Sequence, residues 1–254
     1  MTPEIQIVAD AEELNRTAAA EFIRQATAAV QSKGSFTVAL SGGSTPKSLY
    51  SLLANDAALR AQVPWDKVHF FWGDERHVPP DHADSNYRMA HEAMLSKVPV
   101  PAAHIHRIEA EHPDANRVAA AYEQSLREFF QVPAGQVPRF DVILLGMGPD
   151  GHTASLFPGT VALSEQTHLV VANWVDKFNS YRITLTLPVL NDAACVAFLV
   201  SGEEKAETLR LVLQDEQQPR RFPSQLVRPT HGRLLWLIDR AAARLLSAKE
   251  GMGA

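Results

Sequence analysis

The chain has 254 residues, 46% of them hydrophobic and 21% charged, which excludes a disordered, collagenous or low-complexity chain and provides enough apolar residues for a large core. Its 29 acidic and 24 basic side chains give a net charge of -5 without charge runs, so neither nucleic acid nor an anionic membrane is expected as a partner. The single cysteine, Cys195, excludes a disulfide framework and a cysteine metal site; with no basic leader and no apolar run near ~20 residues, a cytoplasmic protein without a membrane span is expected.

The apolar run at 5–8 predicts a strand, and Asp10 with Glu13 three residues on predicts a capped helix start. Residues 36–40 read as a strand ending in Ser41-Gly42-Gly43-Ser44-Thr45-Pro46, after which Leu49, Leu52 and Leu53 recur at helical spacing. Next come a strand at 68–73, a polar loop, and a helix from about Ser85 whose face carries Tyr87, Ala90, Met94 and Val98. A helix over 114–130 has Val118, Tyr122, Leu126 and Phe129 as its stripe. The run at 140–148 is apolar without alternation, as a parallel strand covered on both faces requires. Strands follow at 168–175, 181–187, 195–202 and 233–239, with helices near 203–214 and 240–247. Strands separated by helices imply an α/β fold: one doubly wound, mostly parallel sheet with helices on both faces. No linker or internal repeat divides the chain, so residues 1–254 are expected to form a single domain.

Open parallel sheets bind ligands beyond the carboxyl ends of their strands, so the loops after the strands are the places to search. Gly42, Gly43, Ser44 and Thr45, opening a helix, offer backbone N–H groups, hydroxyls and a positive helix end to an anion such as phosphate. A glycine-rich turn with an N-cap accounts for the same residues. No Gly-Lys-Ser/Thr follows, which excludes a Walker loop. Gly73-Asp74-Glu75-Arg76-His77 places four ionisable side chains at a strand end, where a solvated turn is the plain alternative. Residues 146–153 match GxGxxG, but Pro158 breaks any following helix and no acidic residue closes a next strand, so a dinucleotide site is rejected. What remains is a glycine-flanked pair, Asp150 and His152; an imidazole, with a reference pKa of about 6.5, takes a proton near neutral pH. Arg182 starts an otherwise buried strand and wants an anion or a carboxylate. Lys205 lies in the first turn of a helix, where a cation opposes the macrodipole unless Glu203, Glu204 or a bound phosphate offsets it. His91-Glu92 lacks the second histidine of HExxH, and His104 and His106 lack an obvious third ligand, so no metal site is expected.

Taken together, SGGSTP at 41–46, GDERHVPPDHADSN at 73–86, GMGPDGHTASLFPG at 146–159, YRITLTLP at 181–188, SGEEKAETL at 201–209 and WLID at 236–239 resemble the 6-phosphogluconolactonase family over nearly the whole chain. The resemblance implies hydrolysis of 6-phospho-D-glucono-1,5-lactone to 6-phosphogluconate, in the oxidative pentose phosphate pathway, without metal or organic cofactor and with a monomer expected. It places the general base on His152, its supporting carboxylate on Asp150, and on Arg76 a guanidinium that stabilises the carbonyl oxygen or holds substrate hydroxyls, with Asp74 beside it. Gly42, Gly43, Ser44, Thr45, Arg182 and Lys205 fall where the family clasps phosphate. The wider superfamily leaves a sugar-phosphate isomerase or deaminase as one rival and a non-catalytic sugar-phosphate sensor as another. The isomerase relatives resemble GHxAxNEP, whose glutamate is Phe157 here, although Asp74 matches their proton-moving base.

Overall fold

The computed structural model describes residues 2–247. The first strand, β1 (Glu4–Val8), leads into α1 (Ala11–Lys33), whose start is fixed as expected: Asp10 Oδ1 accepts from the Glu13 N–H at 2.9 Å, and Glu13 Oε2 accepts from the Ala9 N–H at 2.6 Å. Leu14, Ala18, Phe22 and Ala26 form its buried stripe, and Gly34, left-handed at φ 84°, ends it. Then follow β2 (Phe36–Leu40), α2 (Ser44–Asn55), the short α3 (Ala57–Arg60), β3 (Val68–Trp72), β4 (Asp74–Arg76), α4 (Asn86–Ala93) and α5 (Ala115–Phe130). The second half holds β5 (Val142–Leu145), β6 (Val170–Val175), β7 (Ser180–Leu185), α6 (Leu187–Asp192), β8 (Cys195–Val200), α7 (Ala206–Gln214), β9 (Arg233–Asp239) and α8 (Arg240–Ala243).

Six strands form a wholly parallel sheet in the order β1-β9-β8-β5-β2-β3. Every residue of β2, β5 and β8 is buried. Because successive side chains of a strand point to opposite faces, that burial requires cover on both faces of the sheet. The chain runs from β2 outward to β3 and returns with β5 on the other flank of β2, so the strand order reverses between β2 and β5, and that reversal opens the crevice.

The strands read at 168–175 and 181–187 do not join this sheet. They are β6 and β7, an antiparallel hairpin that pairs with β4 in a second sheet of order β4-β7-β6. The sequence carried the clue, since no helical pattern separates them. Residues 74–76, read as a polar loop, are the third strand of that sheet, and the turn from one sheet to the other is made at Gly73, whose N–H donates to Leu40 O at 2.8 Å while its carbonyl accepts from Leu185 N at 2.9 Å. The expected boundaries shift elsewhere. The strand at 140–148 is shortened to β5, releasing 146–148 into a loop; α4 stops before Met94 and Val98; and Leu187–Asp192, read as strand end and loop, is helical. The helix expected over 240–247 ends at Ala243.

Candidate active site

A cleft of ≈ 250 Å³ opens beyond the carboxyl ends of β2 and β5, lined by the 41–46 loop, the 146–149 loop, Asp74, Arg76, Asn86, His152, Ser201 and Lys205. At one end stands the N-terminus of α2. Gly43, not a hydroxyl residue, takes the N-cap position, at φ 106°, and no side chain caps this helix. The plain alternative, a glycine-rich turn with an N-cap, thus holds for the turn but with no side-chain cap among the described residues: Ser44 is the first residue of the helix. Ser41, which the sequence gave no reason to single out, lines the same cleft; its buried hydroxyl has no hydrogen-bond partner among the described residues.

Lys205 lines the same cleft from the turn after β8. That turn is a single 3-10 turn (Glu203–Lys205) ahead of α7, and the buried Asp239 holds it by accepting from the Ser201 hydroxyl and, at 3.1 Å, from the Gly202 N–H. Asp239 also caps α8 through the Ala242 N–H at 2.7 Å. The neighbouring acids do not neutralise the lysine: Glu203 pairs with Arg244 at 3.2 Å, and no carboxylate lies within ion-pair distance of Lys205 among the described residues. An uncapped helix start and a lysine with no ion-pair partner among the described residues thus line one cleft, an arrangement chemically suited to an anion.

On β4, Asp74 is buried, and its Oδ2 accepts from the Ser155 hydroxyl at 2.6 Å. The Asn86 amide donates to the Asp74 carbonyl at 2.9 Å, and Gly42 is what admits it, since a Cβ there would lie 2.0 Å from Asn86 Oδ1. Glu75 faces the other way. Its buried carboxylate accepts from the N–H groups of Asn86 (2.7 Å) and Tyr87 (2.8 Å) and from the Ser85 hydroxyl (3.1 Å), thereby anchoring the start of α4. Burial pushes its pKa up, opposed by the backbone N–H groups of Asn86, Tyr87 and Arg76. Arg76 projects into the cleft and donates to the Asp84 carbonyl at 2.5 Å. No ion pair with a carboxylate engages it among the described residues.

The loop after β5 presents an imidazole to the cleft. His152 Nδ1 is hydrogen-bonded to Asp150 Oδ1, and its ring stacks on Phe157 with centroids 4.1 Å apart at 26°. The Gly148 N–H donates to the His152 carbonyl at 2.9 Å, and Thr208 on α7 ties the Pro149 carbonyl at 2.6 Å. Gly148 leaves room for the imidazole, because a Cβ there would lie 2.1 Å from both Cε1 and Nδ1. Burial acts to raise the Asp150 pKa, but the hydrogen bond and charge of His152, with Lys177 beyond, hold this carboxyl well below the usual carboxylate range.

The predicted residues Gly42, Gly43, Ser44, Thr45, Asp74, Arg76, His152 and Lys205 therefore share one cleft. Asp150 stands behind His152, outside the lining, and so does Arg182, which lies on β7 opposite Arg76 in the β4–β7 register. Its guanidinium sits 4.9 Å from the Phe178 ring centre, and burial together with the facing Arg76 weakens its hold on its proton. Sequence reasoning passed over Ser41, Asn86, Ser155 and Asp239. Only Asn86, at a helix start beside Ser85, carried a local signal. His104 and His106 do have a third histidine nearby, His69, but it stacks on His104 at 3.9 Å and meets His106 edge to edge through an Nδ1···Nε2 contact of 3.1 Å.

The sequence profile described as "Glucosamine-6-phosphate isomerases/6-phosphogluconolactonase" matches residues 9–236, and the chain belongs to that family. It is 42% identical over 246 residues to the 6-phosphogluconolactonase of Synechocystis sp., covering 97% of this chain and 99% of that one. It is 39% identical over 249 residues to that of Rattus norvegicus, covering 96% and 93%. The solved 6-phosphogluconolactonase of Trypanosoma cruzi superposes with a TM-score of 0.83 at 31% identity, covering 98% of this chain and 99% of that one. A monomeric glucosamine-6-phosphate deaminase shares the fold at 21% identity with a TM-score of 0.78.

Proposed function

We propose that this chain hydrolyses 6-phosphogluconolactone, with His152 as the general base that activates water. The observation that carries the reading is the placement of an Asp150-oriented imidazole in the same cleft as an anion receptor that no carboxylate of the described residues fills. With Nδ1–H donating to Asp150, the His152 Nε2 lone pair is left to accept a proton from water as its oxygen bonds to the lactone carbonyl carbon. Arg76 steadies the negative charge that develops on the carbonyl oxygen. Collapse of the tetrahedral intermediate breaks the bond to the ring oxygen, which takes the proton back from the imidazolium. A lactone is an activated ester, so this chemistry needs neither a covalent nucleophile nor a metal.

The phosphate binds at the α2 N-terminus, through Gly42, Gly43, Ser44, Thr45 and Lys205, with Arg182 contributing charge from behind Arg76. Asp74, fixed by Ser155 and Asn86, accepts from a substrate hydroxyl. One continuous core joins both sheets, in keeping with a single domain. The isomerase alternative is disfavoured by Phe157, because the ring stacked on the imidazole cannot carry a proton. The direct test is to generate 6-phosphogluconolactone and measure whether the purified protein hastens 6-phosphogluconate formation. A rate equal to the spontaneous one rejects the proposal.

A further inference from the structure

The hairpin joining β6 to β7 carries a lysine that the reaction as described does not use. Its turn, Asp176–Phe178 followed by the left-handed Asn179 (φ 46°), is closed by the Asn179 N–H donating to Asp176 O at 3.0 Å and by Trp174 Nε1 donating to Asp176 Oδ1 at 2.7 Å. This turn lies against the loop that carries His152. Lys177 Nζ stands 3.4 Å from Asp150 Oδ2, the carboxylate oxygen that His152 leaves free. The next residue, Phe178, is 43% exposed, yet its ring meets the edge of Phe157 at 5.7 Å, and Phe157 is the ring on which His152 stacks. An exposed phenyl at a turn tip gains little by itself, and here it seats the turn on the stack beneath the imidazole.

We infer that Lys177 is a positioning residue for the His152–Asp150 pair: it engages the outer oxygen of Asp150, turns the inner oxygen toward His152, and lowers the proton affinity of the imidazole. The sign follows from charge. A proton on His152 is favoured by the Asp150 carboxylate, and an ammonium on that carboxylate's far oxygen offsets part of the attraction. More of the imidazole is then free to act as a base in mildly acidic solution. The other charged groups around the pair act from different elements: Asp74 and Arg76 from β4, Arg182 from β7, Lys205 from the turn before α7, and Arg221, which lies over the Phe222 ring packed against Gly151. Lys177 alone among these cations is in ion-pair contact with Asp150.

The inference rests on His152 being the base, and the test separates the two ideas by reading the imidazole directly. The full-length protein and its Lys177→Ala and Lys177→Arg variants are titrated by NMR at the His152 ring, and the acid limb of kcat/KM is measured in parallel. Lys177 is 57% exposed on its side chain, so the variants are expected to fold. For an exposed pair of this kind, Lys177→Ala should raise both the ring titration and the acid limb by roughly 0.2 to 0.7 pH unit, Lys177→Arg should restore both, and ~0.5 M salt should shrink the difference. If the ring titration is unmoved in Lys177→Ala, the inference is overturned while His152 stands as base. If the ring titration moves and the acid limb does not, Lys177 acts on the pair but His152 is not the base. A lower plateau with no shift in either limb shows mere support of the loop, and also overturns the inference.

Discussion

Gly148→Ala tests the base without touching it. Gly148 does not have positive φ, so alanine brings no backbone strain, and the effect falls on the neighbouring imidazole and, at 2.9 Å, on the Asp150 oxygen bonded to it. The added Cβ would stand 2.1 Å from Cε1 and Nδ1 of His152, and ordinary contact begins near 3.4 Å, so the imidazole must retreat by about 1.3 Å. It cannot simply swing aside, because it is bonded to Asp150 on one edge and stacked on Phe157 on one face. A displacement of about 1 Å at a reacting group costs on the order of 10²-fold. We therefore expect kcat to fall roughly 10²-fold, measured by coupling 6-phosphogluconate formation to its oxidation, with a thermal midpoint close to that of the parent. A folded Gly148→Ala protein retaining more than about a third of kcat would refute both the packing argument and the role of His152.

His152→Ala should lower kcat by roughly 10² to 10⁴ while calorimetry shows 6-phosphogluconate still bound; unchanged turnover removes the residue from the mechanism. Lys205→Ala should cut kcat/KM at least tenfold on the phosphorylated lactone, from charge-assisted bonds worth ~1.5 to 3 kcal/mol, and leave unphosphorylated gluconolactone unaffected, whereas Arg182→Ala, at a residue outside the cleft lining, should cost less; equal losses on both substrates would point to fold support instead. Acid should destabilise the fold through His69 and His106, whose pKa values are pushed down to about 4 by burial first and then by the neighbouring histidines. The unfolded chain binds these protons from about pH 6.5 downward and the native chain does not, so stability is lost as pH falls from about 6.5 to about 4. Allowing for partial exposure, the pair accounts for about 2 to 3 kcal/mol by pH 4.5, and urea midpoints of the parent and of His106→Asn should converge as pH falls; parallel curves would contradict this.

The parallel sheet was legible in the sequence because its central strands are buried on both faces and so appear as unbroken apolar runs, as in β5 and β8. The second sheet was not, because β4 is three residues of charged sequence whose strand character comes only from pairing with β7, a long-range contact that no local pattern records. The site divides in the same way. His152, Ser44 and Lys205 could be picked out by glycine-rich loops and by a lysine against a helix dipole, which are local signals. Asn86 and Ser155 matter because they hold Asp74, and Asp239 because it holds the Lys205 turn, relations across 12, 81 and 37 positions of sequence that only folding reveals. Arg182 stands out in the sequence by its charge, yet its position opposite Arg76 depends on the register of the small sheet.

Gly73, the one residue between β3 and β4, divides the cleft between two frames. The anion cradle and the imidazole hang from the parallel sheet, whereas Asp74 and Arg76 arrive on the antiparallel one. The cleft is thus walled by two separately paired sheets that meet at a single glycine. Changes confined to β4 can reshape the wall that carries Asp74 and Arg76 while the α2 helix start, His152 and Lys205 stay where the parallel sheet holds them.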